Sequence, residues 1–200
     1  MSFPISGVTD AGRVAIQRAL DHNYPLVFTA IKTGNGIYTA GEDISGMTAL
    51  KSQKNSYTIG SRVDEDGGIT LGAVLVNYDG VQTIVAESYN INEIGLFCTV
   101  NGTEYLYGVA AEPTDGGREI PAYDGTNLTQ IVQEWFVAIS EDLEITVDMS
   151  GAFALAQDLK DLQDMIVSNH YQATIIDDDG NMIVDEDNNS IAGDWRYQIM

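Results

Sequence analysis

Two histidines, one cysteine and thirty acidic side chains are the groups from which this 200-residue chain would have to build a catalytic or metal site. Cys98 has no internal partner for a disulfide, and with only His22 and His170 beside it no cluster has the spacing of zinc ligands. A structural zinc is excluded. Hard cations would suit the acidic run of Asp177, Asp178, Asp179, Asp185 and Asp187, yet an EF-hand loop needs Gly at its sixth and Glu at its twelfth position. Counted from Asp177 those positions hold Met182 and Asn188, and counted from Asp185 they hold Ser190 and Arg196. The bland reading, a solvated turn, is preferred over a calcium site of another type. Nucleophilic catalysis would need a base beside the nucleophile, but His22 falls at a helix end, where the dipole favours it, and His170 in a polar connector; no G-x-S-x-G elbow exists. Gly34-Asn35-Gly36 follows a strand as a dinucleotide-binding turn would, but Thr39 stands where the third glycine is required, and no G-x-x-x-x-G-K-[ST] loop occurs. These glycines read as turn residues. A glycosidase-like carboxylate pair cannot be singled out in so acidic a chain. No catalytic residue, cofactor or metal ligand is therefore assigned, and the chain reads as a non-enzyme.

The net charge of -21 would repel a phosphate backbone and an anionic membrane, which argues against nucleic acid and lipid headgroups as main partners. The start, MSFPISGVTDAGR, lacks a basic segment followed by an apolar core, and no apolar stretch approaches the roughly 20 residues of a membrane span. Soluble synthesis in the cytoplasm without a signal peptide is expected. At 44% apolar and 20% charged residues, the chain can bury one large or two small cores.

The elements that would position any site fall into three zones: 1–150, 151–170 and 171–200. Thr9 or Asp10 is a plausible N-cap, and Ala11, Val14, Ala15, Ile16, Ala19 and Leu20 recur at helical spacing before Asn23 and Pro25. LVFTAIK follows as a strand, TGNGIYTAGED as a Gly-rich loop, and ISGMTALKSQKN as a segment able to hold a helical turn. SYTIGSRV and ITLGAVLV flank DEDGG as a hairpin; INEIGLFCTV and EYLYGVAA flank Asn101-Gly102 as a second. TQIVQEWFVAI and LEITVDM, joined by SED, read as a third pair, with Trp135 and Phe136 in mid-strand where core or interface packing is the default. Beyond Gly151, Ala152, Leu155, Leu159, Leu162 and Ile166 are spaced as a coiled-coil seam of two heptads, a length more often docked on its own domain. The last thirty residues, with ATII and NMIV around DDDG, read as a small acidic β element too short to be stable alone.

TDAGRVAIQRAL, LVFTAIKTGNG, NEIGLF and WFVAISEDLEITVDMS, in that order, resemble the N-terminal domain of phage tail-collar fibre proteins. The match covers about residues 5–165 and rests on Thr9, Ala11, Gly12, Gly34, Asn35, Gly36, Glu93, Ile94, Gly95, Leu96 and Phe97. Asn35 stands where an acid is commoner, and the chain stops about thirty residues past its helix where family members continue into a long fibre. The resemblance implies an α+β fold: an N-terminal helix on a mostly antiparallel β body, then a short trimeric coiled-coil helix and a small β-hairpin tail. It implies a non-catalytic virion part, anchoring a fibre or receptor-binding protein to the baseplate of a contractile tail or phage-tail-like bacteriocin as a homotrimer. Under that reading Ala152, Leu155, Leu159, Leu162 and Ile166 become a three-chain seam with Asn169 as a polar register residue. Partners would be a baseplate protein and a separate distal fibre. Two alternatives remain: a carbohydrate-binding tip, with Tyr171, Trp195 and Tyr197 stacking on sugars or gripping the distal partner, and a cell-wall hydrolase of the tail.

Overall fold

The computed structural model describes residues 3–80, 83–138 and 143–150. The chain divides into two units, Met1–Ala154 and Leu155–Met200, and the described residues all belong to the first. The expected seam residues Ala152, Leu155, Leu159, Leu162, Ile166 and Asn169, and the expected contact residues Tyr171, Trp195 and Tyr197, lie outside the described residues.

Ten strands and one helix follow in the order β1 (Ile5–Val8), α1 (Asp10–His22), β2 (Leu26–Gly34), β3 (Gln53–Glu65), β4 (Gly68–Val76), β5 (Tyr89–Ile91), β6 (Glu93–Val100), β7 (Thr103–Ala111), β8 (Arg118–Ile120), β9 (Gln130–Ala138) and β10 (Ile145–Val147). The expected α+β class is thereby corrected. Strands dominate the described residues, α1 is their one helix, and the class is mainly antiparallel β. The segment expected to hold a second helical turn, ISGMTALKSQKN, contains turns and bends up to the start of β3.

The main sheet runs β1-β7-β6-β2-β3-β4-β9, with β10 paired to β2 as its eighth strand; β5 and β8 form a separate two-stranded ribbon. Four residues are extra in their ladders: Thr29 between β2 and β6, Lys54 between β2 and β3, Gly60 between β3 and β4, and Tyr107 between β6 and β7. Each such bulge bends its strand and raises the local twist. Their combined effect is to curl the sheet into a half-barrel, so that its first and last strands, β1 and β9, line one groove.

The third expected pair, TQIVQEWFVAI with LEITVDM, is also corrected. β9 pairs along its whole length with β4, whereas β10 pairs in parallel with Leu26–Phe28 of β2. Alternation tells which face of a strand is wet, not which strand lies beside it. β10 occupies the stretch of β2 that β3 leaves open, since β3 pairs β2 only over Ala30–Gly34; Arg62 Nη1 on the departing part of β3 donates to the Ile145 carbonyl at 2.9 Å.

α1 is held by its own chemistry. Thr9, fully buried, is the N-cap: its Oγ1 accepts from Gly12 N at 3.0 Å and donates to Leu106 O at 2.5 Å. Gly12 lies so close to the Tyr107 carbonyl that no Cβ would fit. Ala15 and Ala19 are buried beneath the helix, which ends with His22 in its last turn and Asn23 in left-handed geometry.

Candidate functional site

Gly34, Gly36 and Glu93, far apart in the sequence, meet at one point. β2 and β6 pair so that Gly34 faces Glu93, and the loop after β2 folds back over both. Glu93 is completely buried, and its carboxylate accepts four hydrogen bonds. Oε1 takes them from Gly36 N at 3.1 Å and Ser52 N at 2.6 Å; Oε2 takes them from the Tyr38 hydroxyl at 2.5 Å and Lys51 N at 2.9 Å. An ionised carboxylate has about four lone-pair directions, so none remains for a substrate or an ion. The charge is dispersed over three backbone amides and a phenol, the condition under which a carboxylate can be buried at all.

The glycines are required by that approach. A Cβ on Gly36 would lie 2.6 Å from both Glu93 Oε1 and Lys51 Cβ, and one on Gly34 would meet Glu93 Oε1 and Ser52 O. Burial, with the accepting Glu93 carboxylate second, pushes the pKa of Tyr38 up, so the hydroxyl remains a donor. Lys51 closes the loop from outside: Nζ lies 4.1 Å from the Tyr38 ring centroid, 2.6 Å from Glu42 Oε1 and 2.9 Å from the Ile37 carbonyl. Glu42 is held below its ordinary pKa, first by the Lys51 hydrogen bond and then by Thr39 N.

Of the remaining motif residues, Gly95 and Phe97 build the floor. Phe97 packs with Tyr38, Ile44, Leu50, Leu106 and Val109, and Gly95 makes room for the Leu106 and Phe97 side chains. Ile94 and Leu96 are fully buried. The loop of residues 35–52 is thus stitched to the sheet by a carboxylate that holds both its ends and by a small apolar cluster in the middle.

A polar rim adjoins it. Asn92 Nδ2 donates to Asp115 Oδ1 at 2.8 Å, Asn90 Nδ2 donates to the same oxygen at 3.1 Å, and Asn92 Oδ1 accepts from Gly117 N. Those two amides, Asn92 first, hold the Asp115 carboxyl below its ordinary pKa. Asn35, Ser88, Tyr89, Asn90, Asp115 and Glu119 line a shallow hollow of about 440 Å3 here. Among the described residues no group of three His, Cys, Asp or Glu side chains is placed to hold a metal ion. Cys98 is buried, which pushes its thiol up to about 12.

The second concave feature is the groove between β1 and β9, of about 500 Å3, lined among others by Val8, Gln133, Trp135 and Val137. Trp135 reaches across it towards β7, its Cζ2 standing 3.1 Å from where a Cβ on Gly108 would be. Phe136, on the opposite face of β9, is about half exposed.

Of the residues that sequence reasoning grouped as a motif, the structure brings Gly34, Gly36 and Glu93 together, sets Gly95 and Phe97 against the apolar cluster beside them, and buries Ile94 and Leu96. Sequence reasoning missed Tyr38, Lys51, Ser52 and Gln133. The signal for the first three was Glu93 itself, an acid opening the apolar run EIGLF that had to find donors if buried. For Gln133 it was register: Ile131, Gln133, Trp135 and Val137 share a face, and only one of them is polar throughout. Compared with protein-family models, curated proteins and solved structures, the chain matches none.

Proposed function

We propose that the protein is a non-catalytic structural part of a virion tail or phage-tail-like bacteriocin: a homotrimeric collar or fibre adaptor that anchors a fibre or receptor-binding protein to the baseplate of a contractile tail. One observation carries the reading. The pieces of sequence that resemble tail-collar fibre proteins are physically one scaffold: Thr9 and Gly12 seat α1 on β7, Gly34 and Gly36 admit Glu93, and Glu93 fastens the loop of residues 35–52. Glu93, the one ionisable group of the motif, spends its acceptors on the chain's own donors. An anchor needs such stiffness, because a joint that transmits force between two partners must not yield locally.

Two measurements test this. In light scattering, three copies of 21.7 kDa give about 65 kDa, and a monomer would overturn the trimer. Gold-labelled antibodies against the protein should decorate the baseplate end of tail particles released by the producing bacterium. Label absent from the particles, or spread along the tail tube, would overturn the adaptor.

A further inference from the structure

The geometry points to the β1/β9 groove as a docking slot for one extended segment of a partner protein, neutral or basic in charge, which adds to the free edge of β9 with a hydrogen-bond donor opposite Gln133. The ladders fix which backbone groups are on offer. Asn77 N donates to Thr129 O, so in the antiparallel register of β4 and β9 the odd residues Ile131, Gln133, Trp135 and Val137 bond to β4. The amides and carbonyls of Val132, Glu134 and Phe136 then face away from β4. On the far side, Thr9 N donates to Tyr107 O, so Gly7 bonds to β7 and the backbone of Ser6 and Val8 faces away from it. Among the described residues no strand lies beyond β1 or β9. Apart from the Glu134 carbonyl, which accepts from Gln133 Nε2, the outward backbone groups of these two edges thus have no strand beside them among the described residues, an arrangement that an added strand satisfies.

Gln133 shows that the slot wants a polar partner as well. It is about nine-tenths buried and lines the groove. Its Nε2 donates to the outward carbonyl of Glu134 at 2.7 Å, and since a carbonyl only accepts, the amide cannot be turned round. Oε1 is left buried with no hydrogen-bond partner. A buried acceptor without a donor is costly, and a bound segment supplying one removes that cost.

Charge selects the occupant. Among the described residues Glu134 is the one charged residue lining the groove, and the whole chain carries -21, so an acidic segment arrives against like charge whereas a neutral or basic one does not. β1 offers four residues of edge, and a strand of four to six residues spans about 13–20 Å at about 3.3 Å per residue. Apolar side chains on alternate positions of the segment would meet Val8, Trp135 and Val137.

The test uses the full chain, isotope-labelled for NMR, and three synthetic probes: acetyl-Val-Thr-Lys-Val-Thr-Val-amide, the same peptide with Glu for Lys, and the first peptide N-methylated on either alternate set of residues. The lysine peptide should shift and protect the amides of Val132, Glu134 and Phe136. The glutamate version should bind several-fold more weakly, and one of the two methylated versions should not bind. Gln133→Leu should keep its melting temperature or raise it while binding the lysine peptide about tenfold less tightly. No response of those amides to the lysine peptide overturns the proposal, as does unchanged affinity in Gln133→Leu. So does protection already present in the peptide-free protein at every concentration, which would mean that the chain fills its own slot, or protection that grows with protein concentration, which would mean that another copy does.

Discussion

Glu93 and Gln133 are both buried polar side chains of the same curled sheet, yet their surroundings differ in kind. The Glu93 carboxylate meets four donors, while Gln133 meets one acceptor and leaves its oxygen bare. Around Glu93 the glycines are there because nothing larger fits; around Gln133 there is a groove. Where the chain completes its own hydrogen bonding it has made a fixed part, and where it stops short it has left room for another molecule. That contrast separates the portion of the molecule that holds shape from the portion offered for assembly.

The largest expected effect is at Glu93. Glu93→Gln keeps the volume but sets an NH2 group either against the Gly36 and Ser52 amides or, in the other orientation, against the Lys51 amide with only the Tyr38 hydroxyl able to reverse its role, and should cost about 3 kcal/mol in denaturant unfolding. A loss below about 1 kcal/mol would mean that the loop of residues 35–52 does not depend on this carboxylate, and the contrast with Gln133 would collapse. Gly36→Ala comes next, at about 2 kcal/mol, because its new Cβ must displace the carboxylate or the Lys51 stem. The two changes share an atom, so their costs should fall short of additive when Glu93→Ala is combined with Gly36→Ala; strict additivity would show that the glycine serves some other purpose. Thr9→Ala removes the cap of α1 and the bond to Leu106 O together, for about 1–2 kcal/mol, read as loss of thermal stability.

Gln133→Leu should lie at the opposite pole. The swap discards an acceptor that has no donor, so stability should stay level or rise by up to about 1 kcal/mol. Destabilisation by more than about 1 kcal/mol would show that Oε1 is satisfied in solution, and the two regions would then be alike.

Local rules written in the sequence were legible; partnerships between distant segments were not. The Thr9 cap and helical spacing gave α1, and Asn101-Gly102 gave its hairpin, with both residues at positive φ of 49° and 75° as that turn demands. The DEDGG turn likewise joins β3 to β4. The place of β10 was hidden because period-two alternation in LEITVDM fixes a wet and a dry face and nothing about the neighbour, while the SED join suggested a hairpin that β4 pre-empts by pairing β9. The four bulges that curl the sheet have no residue signature beyond Gly60, so the groove between β1 and β9 could not be foreseen. At the site, the glycines were read as turn residues, but their close approach to Glu93, which lies well beyond any local window, could not be read from them.

The smallest effect separates the acid behaviour of surface turns from that of the buried lock. Asp124 is exposed, and hydrogen bonds to its carboxylate, first from Asn127 N, hold its pKa down to about 2, against the ordinary value of 3.8. A folded-state pKa below the unfolded one means that the contribution is complete above the unfolded value and is lost as pH falls through the folded one. The turn of residues 124–127 should therefore be intact at pH 5 and should loosen between about pH 4 and pH 2, seen as faster amide exchange at Thr126 and Asn127 after correction for intrinsic rates. The cost is local because the group is in water, where such bonds are screened. Asp124→Asn should remove the pH dependence while keeping one acceptor for the turn. If instead the amides of Gly36, Lys51 and Ser52 lost protection over the same window with those of the turn, the scaffold around Glu93 would not be an independent, fully satisfied unit, and its distinction from the open seam at Gln133 would have to be abandoned.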